Sequence, residues 1–397
     1  MKYKFLSELL KSRPALMTTV CASLATALFF YIYSPDFKKV GANDDAVKKS
    51  NSSASIAKIP EKPLSSLSLK VSGISQSTPV FTIFGVDIYK DRIIATPKMM
   101  TTLDRPARRI MHLKKTMKTV ILSDDQTCLY IYDDEKGKFQ EQTVKFRNAS
   151  GGLKKISTLA LDEGEALMAV AFSGEKIVSL ISCVDFLKLS ELIMDFEPVS
   201  IFFGKDGNLF FTSFAQSAGA AFMKFSMLKP PYISSQQLSD IPFADGPAAF
   251  DRSGSILKIF NSKANAAFSI DAASREGKII RPGLPPGSDD SRSSAIISNG
   301  NGIFSLIRSD IASLTVINEK SGNTSFECNF LKDGFPVVSE CDELKYAFIG
   351  SNSHPKFALF KKDSSEGVRT SELPGIDSLS AACICENIKE PVEKISE

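Results

Sequence analysis

Two histidines, His112 and His354, are the only imidazoles in a chain of 397 residues, and they stand 242 positions apart. Two cannot build a multi-histidine metal centre. One would suffice for a Ser/His/Asp triad. No Gly-x-Ser-x-Gly elbow, phosphate-cradling Gly-x-x-x-x-Gly-Lys-Ser/Thr loop or dinucleotide fingerprint accompanies either. His354 precedes Pro355 and reads as a turn residue, while His112 lies in a basic run. Both read as structural or solvent-facing. Acids recur at turn-like positions: Asp124, Asp125, Asp162, Glu163, Asp206, Asp251 and Asp342. Turn chemistry alone favours them there, so none is assigned to a metal, and no metal or cofactor is expected.

Seven cysteines are present, six of them outside the apolar N-terminal run. Cys383 and Cys385 are two apart, so a strand would point both to one face. Cys328 and Cys341 flank a connection and could approach each other. These four are the candidate disulfide cysteines, with buried thiols as the plainer reading. The Asn-x-Ser/Thr pattern at Asn51, Asn148 and Asn323 matters only in a glycosylating host.

One basic cluster is dense enough to bind something. Arg105, Arg108, Arg109, Lys114, Lys115 and Lys118 surround His112 within 14 residues. Strand alternation puts basic side chains on both faces, which suits an exposed edge strand guarded against aggregation. The functional reading is an anion contact, with lipid headgroups or an acidic partner.

The chain must be split to see what positions these residues. Residues 1–78 hold 11 Lys+Arg against five Asp+Glu, a net of +6; the rest holds 37 bases and 40 acids, a net of −3. The body therefore has no basic surplus for nucleic acid. No charge occurs over the 22 residues 14–35, long enough to cross a hydrocarbon core of about 30 Å as a helix. Lys2, Lys4, Lys11 and Arg13 precede it. The positive-inside rule then leaves residues 1–13 in the cytoplasm and exports the rest, to a periplasmic or other extracytoplasmic side. A cleaved leader ending near Ala25-Thr26-Ala27 is the rival; it too exports the body. Residues 36–78, rich in Ser, Lys, Asp and Ala, read as a flexible linker.

From 79 to 385, short apolar runs alternate with Gly- or Asp-containing turns. Turn positions at 92, 126, 164, 207, 254, 302 and 343 repeat at intervals of 34 to 48 residues. A period of about 42 with four short strands per unit is the blade of a β-propeller. The expectation is an all-β fold, a propeller of seven four-stranded blades after a single transmembrane helix; six or eight blades, or a tandem of β-sandwiches with similar strands and turns, are the alternatives. Strand 379–385 would close the ring against strands from Pro79 onward, and the charged tail 386–397 would be mobile. Long helical patterns are nearly absent; Cys183–Met194 is the best candidate, and its Ile/Val/Leu content suits strands as well. The body resembles β-propeller repeat proteins as a broad class, in period and strand pattern. Trp-containing repeat signatures are absent, because the chain has no Trp, so no site residue carries over.

The function expected is a membrane-tethered, exported binding or scaffold module of the cell envelope, with a protein partner at the propeller rim. The alternative is a propeller hydrolase or oxidoreductase holding a metal on carboxylates at the central channel.

Overall fold

A computed structural model describes residues 62–386, apart from 142, 218–219, 243–245, 282, 284–289, 319–321, 340–344 and 363–367. Each chain segment forms an antiparallel meander. The first unit has β1 (Ser65–Ser75), β2 (Thr78–Ile88) and β3 (Ile93–Thr102). The second has β4 (Ala107–Leu113), β5 (Lys118–Ser123), β6 (Cys128–Asp133) and β7 (Lys138–Phe139), with β8 (Val144–Lys145) added beside β6. The third has β9 (Ile156–Leu161), β10 (Leu167–Phe172), β11 (Ile177–Ser182) and β12 (Lys188–Ile193). The fourth has β13 (Pro198–Phe203), β14 (Leu209–Ser217), β15 (Ala220–Leu228) and β16 (Ser235–Ile241). The fifth has β17 (Ala248–Asp251), β18 (Ile256–Asn261), β19 (Ala266–Asp271) and β20 (Gly277–Ile280). The sixth has β21 (Ser294–Gly300), β22 (Ile303–Arg308), β23 (Ser313–Ile317) and β24 (Thr324–Glu327). The seventh has β25 (Pro336–Ser339), β26 (Tyr346–Ser351), β27 (His354–Lys361) and β28 (Arg369–Glu372), before the last strand, β29 (Ser378–Glu386).

β29 does not start an eighth unit. It pairs with β1, giving the order β29-β1-β2-β3. The first strands of the sheets approach one another, as in β29 with β4, β9 with β13 and β25 with β29, so they line an axis. The chain folds as a seven-bladed β-propeller whose first blade is closed by both ends of the domain.

The reason is visible in the burial. A blade has two apolar faces, and each must be covered by a neighbour. In β10, Met168, Val170 and Phe172 join the cluster shared with blade two, while Ala169 and Ala171 join the cluster shared with blade four. Seven such clusters occur, one in each seam between consecutive blades.

Several expectations are corrected. β1 lies inside the stretch read as linker, so the propeller begins at 65 rather than 79. Its Leu67, Leu69 and Val71 alternate with serines and Lys70, and all three are buried in the seam with blade seven. The ring-closing strand therefore pairs with β1, not with strands from Pro79 onward. Each expected turn falls in a different blade, which is why the count of seven holds. Yet 92 lies between third and fourth strands and 126 between second and third, whereas 164, 207, 254 and 302 join first to second. Of the two readings left open for Cys183–Met194, the strand holds: it is a turn followed by β12. No helix among the described residues is long and apolar enough to cross a membrane. The expected anchor at 14–35 lies outside them.

Candidate functional site at one mouth of the channel

The turns joining first to second strands gather at one mouth of the channel. Those of blades two, three and four enclose an open cavity of about 410 Å³, lined by Lys115, Asp162, Glu163, Gly164, Gly204, Asp206 and Gly207. Local chemistry sets each turn. Asp162 Oδ1 accepts the Leu167 N–H at 2.8 Å, folding the third blade's turn back on itself. Asp206 (φ +58°) and Gly207 (φ +72°) are consecutive left-handed residues, and the Tyr232 hydroxyl donates to Gly207 O at 2.7 Å. Glu165 Oε2 accepts the Lys115 N–H at 2.6 Å, tying blade two's turn to blade three's.

The side chains of Lys115, Glu163 and Asp206 make no hydrogen bond or ion pair with another described residue. One cation and two anions therefore face the same space without satisfying one another. Among the described residues, no three of His, Cys, Asp and Glu are placed to hold one metal ion. The arrangement suits polar contact with a partner surface.

The channel-facing edge of β9 is also covered. Arg109 Nη1 donates to Leu159 O at 2.9 Å, and Arg252 Nη2 donates to Leu161 O at 2.7 Å. Leu159 and Leu161 alternate, so both carbonyls point away from β10 toward the axis. Two arginines from different blades satisfy them.

The six basic residues singled out in the sequence do not form one patch. β4 is an edge strand, but its free edge is the inner one, so guarding against aggregation is not its setting. Arg105 pairs with Asp125. Burial pushes the Asp125 carboxyl up, but hydrogen bonds from Ser123 and Thr127 and the Arg105 charge outweigh it and hold it low. Arg108 occupies a bulge between Ala107 and Arg109 and is exposed. Lys114 and Lys115 lie past the far end of the seven-residue β4, at the mouth. Lys118 donates to Val184 O and lies 5.2 Å from the Phe186 ring centre.

A buried polar cluster escaped the sequence reading. Lys70 of β1 is fully buried in the seam between blades one and two. Its Nζ lies 2.6 Å from Asp134 Oδ1, 2.6 Å from Thr119 Oγ1 and 3.0 Å from His112 Nδ1. Thr119 Oγ1 donates to Asp134 Oδ2 at 2.8 Å. Burial alone would raise the Asp134 carboxyl; the His112 hydrogen bond and the Lys70 charge outweigh it and hold it below the ordinary carboxylate range. Here Lys70 and His112 are structural. The alternation of β1 was the signal, obscured by its serines.

Among the described cysteines no disulfide forms. Cys383 and Cys385 share a face and are buried, with Sγ of Cys385 3.5 Å from Ser68 O. Cys128, Cys183 and Cys328 are buried free thiols. Burial, with Asp162 and Glu165 nearby, pushes Cys183 up to about 12; burial pushes Cys328 up to about 11. Such thiols are poor nucleophiles. Cys341 lies outside the described residues. Asn148 and Asn323 are exposed, and Asn51 is outside the described residues.

No family model matches the chain, and no curated protein matches it. Solved structures do. A functionally unknown protein from Desulfotomaculum acetoxidans aligns over 81% of this chain and 99% of its own, at 12% identity and a TM-score of 0.56. Apo AztD from Citrobacter koseri aligns over 81% and 98%, at 9% identity and 0.53. Virginiamycin B lyase from Staphylococcus aureus aligns over 68% and 86%, at 12% identity and 0.51. At such identities the likeness is one of fold: the chain is similar to these proteins in its β-propeller architecture.

Proposed function

We propose that this propeller is a protein-binding or scaffold module, exported and tethered to the membrane of the cell envelope through residues 14–35. The observation that carries the binding reading is the mouth, where Lys115, Glu163 and Asp206 stand unpaired around one open cavity on three adjacent blades. Charged side chains left without internal partners gain from a complementary surface, which would steer and orient it. The tether reading rests on the uncharged run of 22 residues and the bases before it. The partner is a protein with paired charges of its own, not nucleic acid.

The test is a pull-down of the full chain from detergent-solubilised membranes. A stoichiometric partner should co-purify with the native chain and be lost when Lys115→Glu, Glu163→Lys and Asp206→Lys are combined. Retention by the triple variant would overturn the mouth as the contact. Recovery of the chain in the soluble fraction after carbonate washing would overturn the tether. The rival enzyme would hold a metal on carboxylates at the central channel, and a stoichiometric metal in the purified full chain would favour it.

A further inference from the structure

The Lys70 ammonium has three N–H donors and three acceptors around it, on Thr119, Asp134 and His112. The bond to His112 exists only while Nδ1 carries a lone pair. The same Nδ1 lies 3.3 Å from Asp134 Oδ2, where it can bond only as a donor. One ring nitrogen thus faces a cation and a carboxylate, and its proton decides which it holds. With Nδ1 bare, the proton of the neutral ring sits on Nε2, and the cluster carries one positive and one negative charge. With Nδ1 protonated, two cations share a single carboxylate.

Among the described residues, nothing nearby offsets the second cation. Asp133, the other acid on this side, accepts from the Lys136 backbone N–H at 3.0 Å and from Lys136 Nζ at 2.8 Å. From β29, Cys383 stands opposite Lys70. From β6, Tyr132 stands opposite Thr119, and its hydroxyl is directed to Met99 Sδ. On β5, Lys118 turns away to Val184 O, and on β4, Arg109 turns to blade three. The site is nearly dry: side-chain exposure is 0% for Lys70, 1% for Asp134 and 9% for His112. A like-charged pair is costly there. The small exposure of His112 gives the proton its path.

We propose that His112 is a proton-operated latch on the seam between the closing blade and the second blade. Neutral, it holds Lys70 of β1. Protonated, it donates an Nδ1–H hydrogen bond to Asp134 Oδ2, releases the third donor of Lys70 and loosens the closure of the ring. Acid supplies the proton, so the device senses acidification of the compartment around the propeller. It does not depend on the proposed partner or tether.

The chain's two histidines make the test direct. Ring-nitrogen NMR on the full chain labelled with 15N-histidine reads His112 beside exposed His354 as reference. Between about pH 7.5 and about pH 5.5, the His112 Nδ1 signal should move toward its protonated position. Over that interval, amides of β1 and β4 should exchange faster once intrinsic rates are corrected. His112→Asn offers an acceptor oxygen without a titration, and should at least halve the fall in thermal midpoint across the interval. An equal fall in wild type and variant, or a proton on Nδ1 at neutral pH, overturns the proposal. Should the variant not fold, the wild-type NMR titration decides alone.

Discussion

The guanidinium of Arg252, in blade five, donates to the carbonyl of Leu161, in blade three, at 2.7 Å. The bond links the end of β9 to the turn after β17, 91 residues further on. A carbonyl that loses such a donor loses a charge-assisted bond. Arg252→Ala should lower stability by about 1–2 kcal/mol. It should shift the urea midpoint and leave the slope unchanged. Arg252→Lys should recover only part, because lysine lacks the planar fork.

Lys70 and Asp134 invite a double-mutant cycle. Lys70→Met strands a buried carboxylate and should cost about 3–5 kcal/mol. Lys70→Met combined with Asp134→Leu removes both charges and should cost less than the two single changes summed. Denaturant unfolding of the four proteins reads the coupling.

Asp134 also fixes a pH dependence. Its carboxyl is held below the ordinary value in the folded chain. Its contribution is present above the unfolded value, about 3.9, and is lost as pH falls through the lower folded value. Asp134→Asn should flatten the acid limb of stability below about pH 4. This limb is separate from the protonation of His112.

Cys183 and Cys328 should resist alkylation at about pH 8 in the native chain and react on unfolding, because burial holds both as thiols. Mass spectrometry after labelling with and without urea reads both sites. Rapid native labelling would contradict their packing.

Gly73 sits at the bulge where β1 meets β29. A Cβ there would collide with the Ser378 backbone carbonyl. Gly73→Ala should cost about 1–3 kcal/mol by forcing the closing strands apart. The same change at Gly151, in open space but at φ +84°, should cost only its backbone strain, about 1 kcal/mol. Thermal melts of the two variants make the comparison.

The architecture was legible because each blade needs its own apolar runs and turns, and the period survives variation in loop length. Register within a blade was less legible. Lys90-Asp91-Arg92 and Asp124-Asp125-Gln126 are turns of the right composition, but turn chemistry does not say which pair of strands it joins. β1 was missed because Ser66, Ser68 and Ser72 lowered its mean hydropathy while leaving its alternation intact. The mouth was partly legible: Lys115, Asp162, Glu163 and Asp206 all stood out as charged turn or cluster residues. Their convergence was not, because it arises from the circular arrangement of blades. The basic cluster misled because seven residues of β4 carry its two ends to opposite mouths.

Joining the two ends of the domain in one blade has a temporal consequence. The Cys385 thiol meets Ser68 O across 317 positions, so almost the whole body must be synthesised before β1 gains its inner neighbour. Until then β1 waits as an open strand edge with a lysine facing an unfinished seam. Contacts between such distant positions form late and slowly. The nascent chain is most prone to mispair during that interval, and the arrival of β29 decides when it ends.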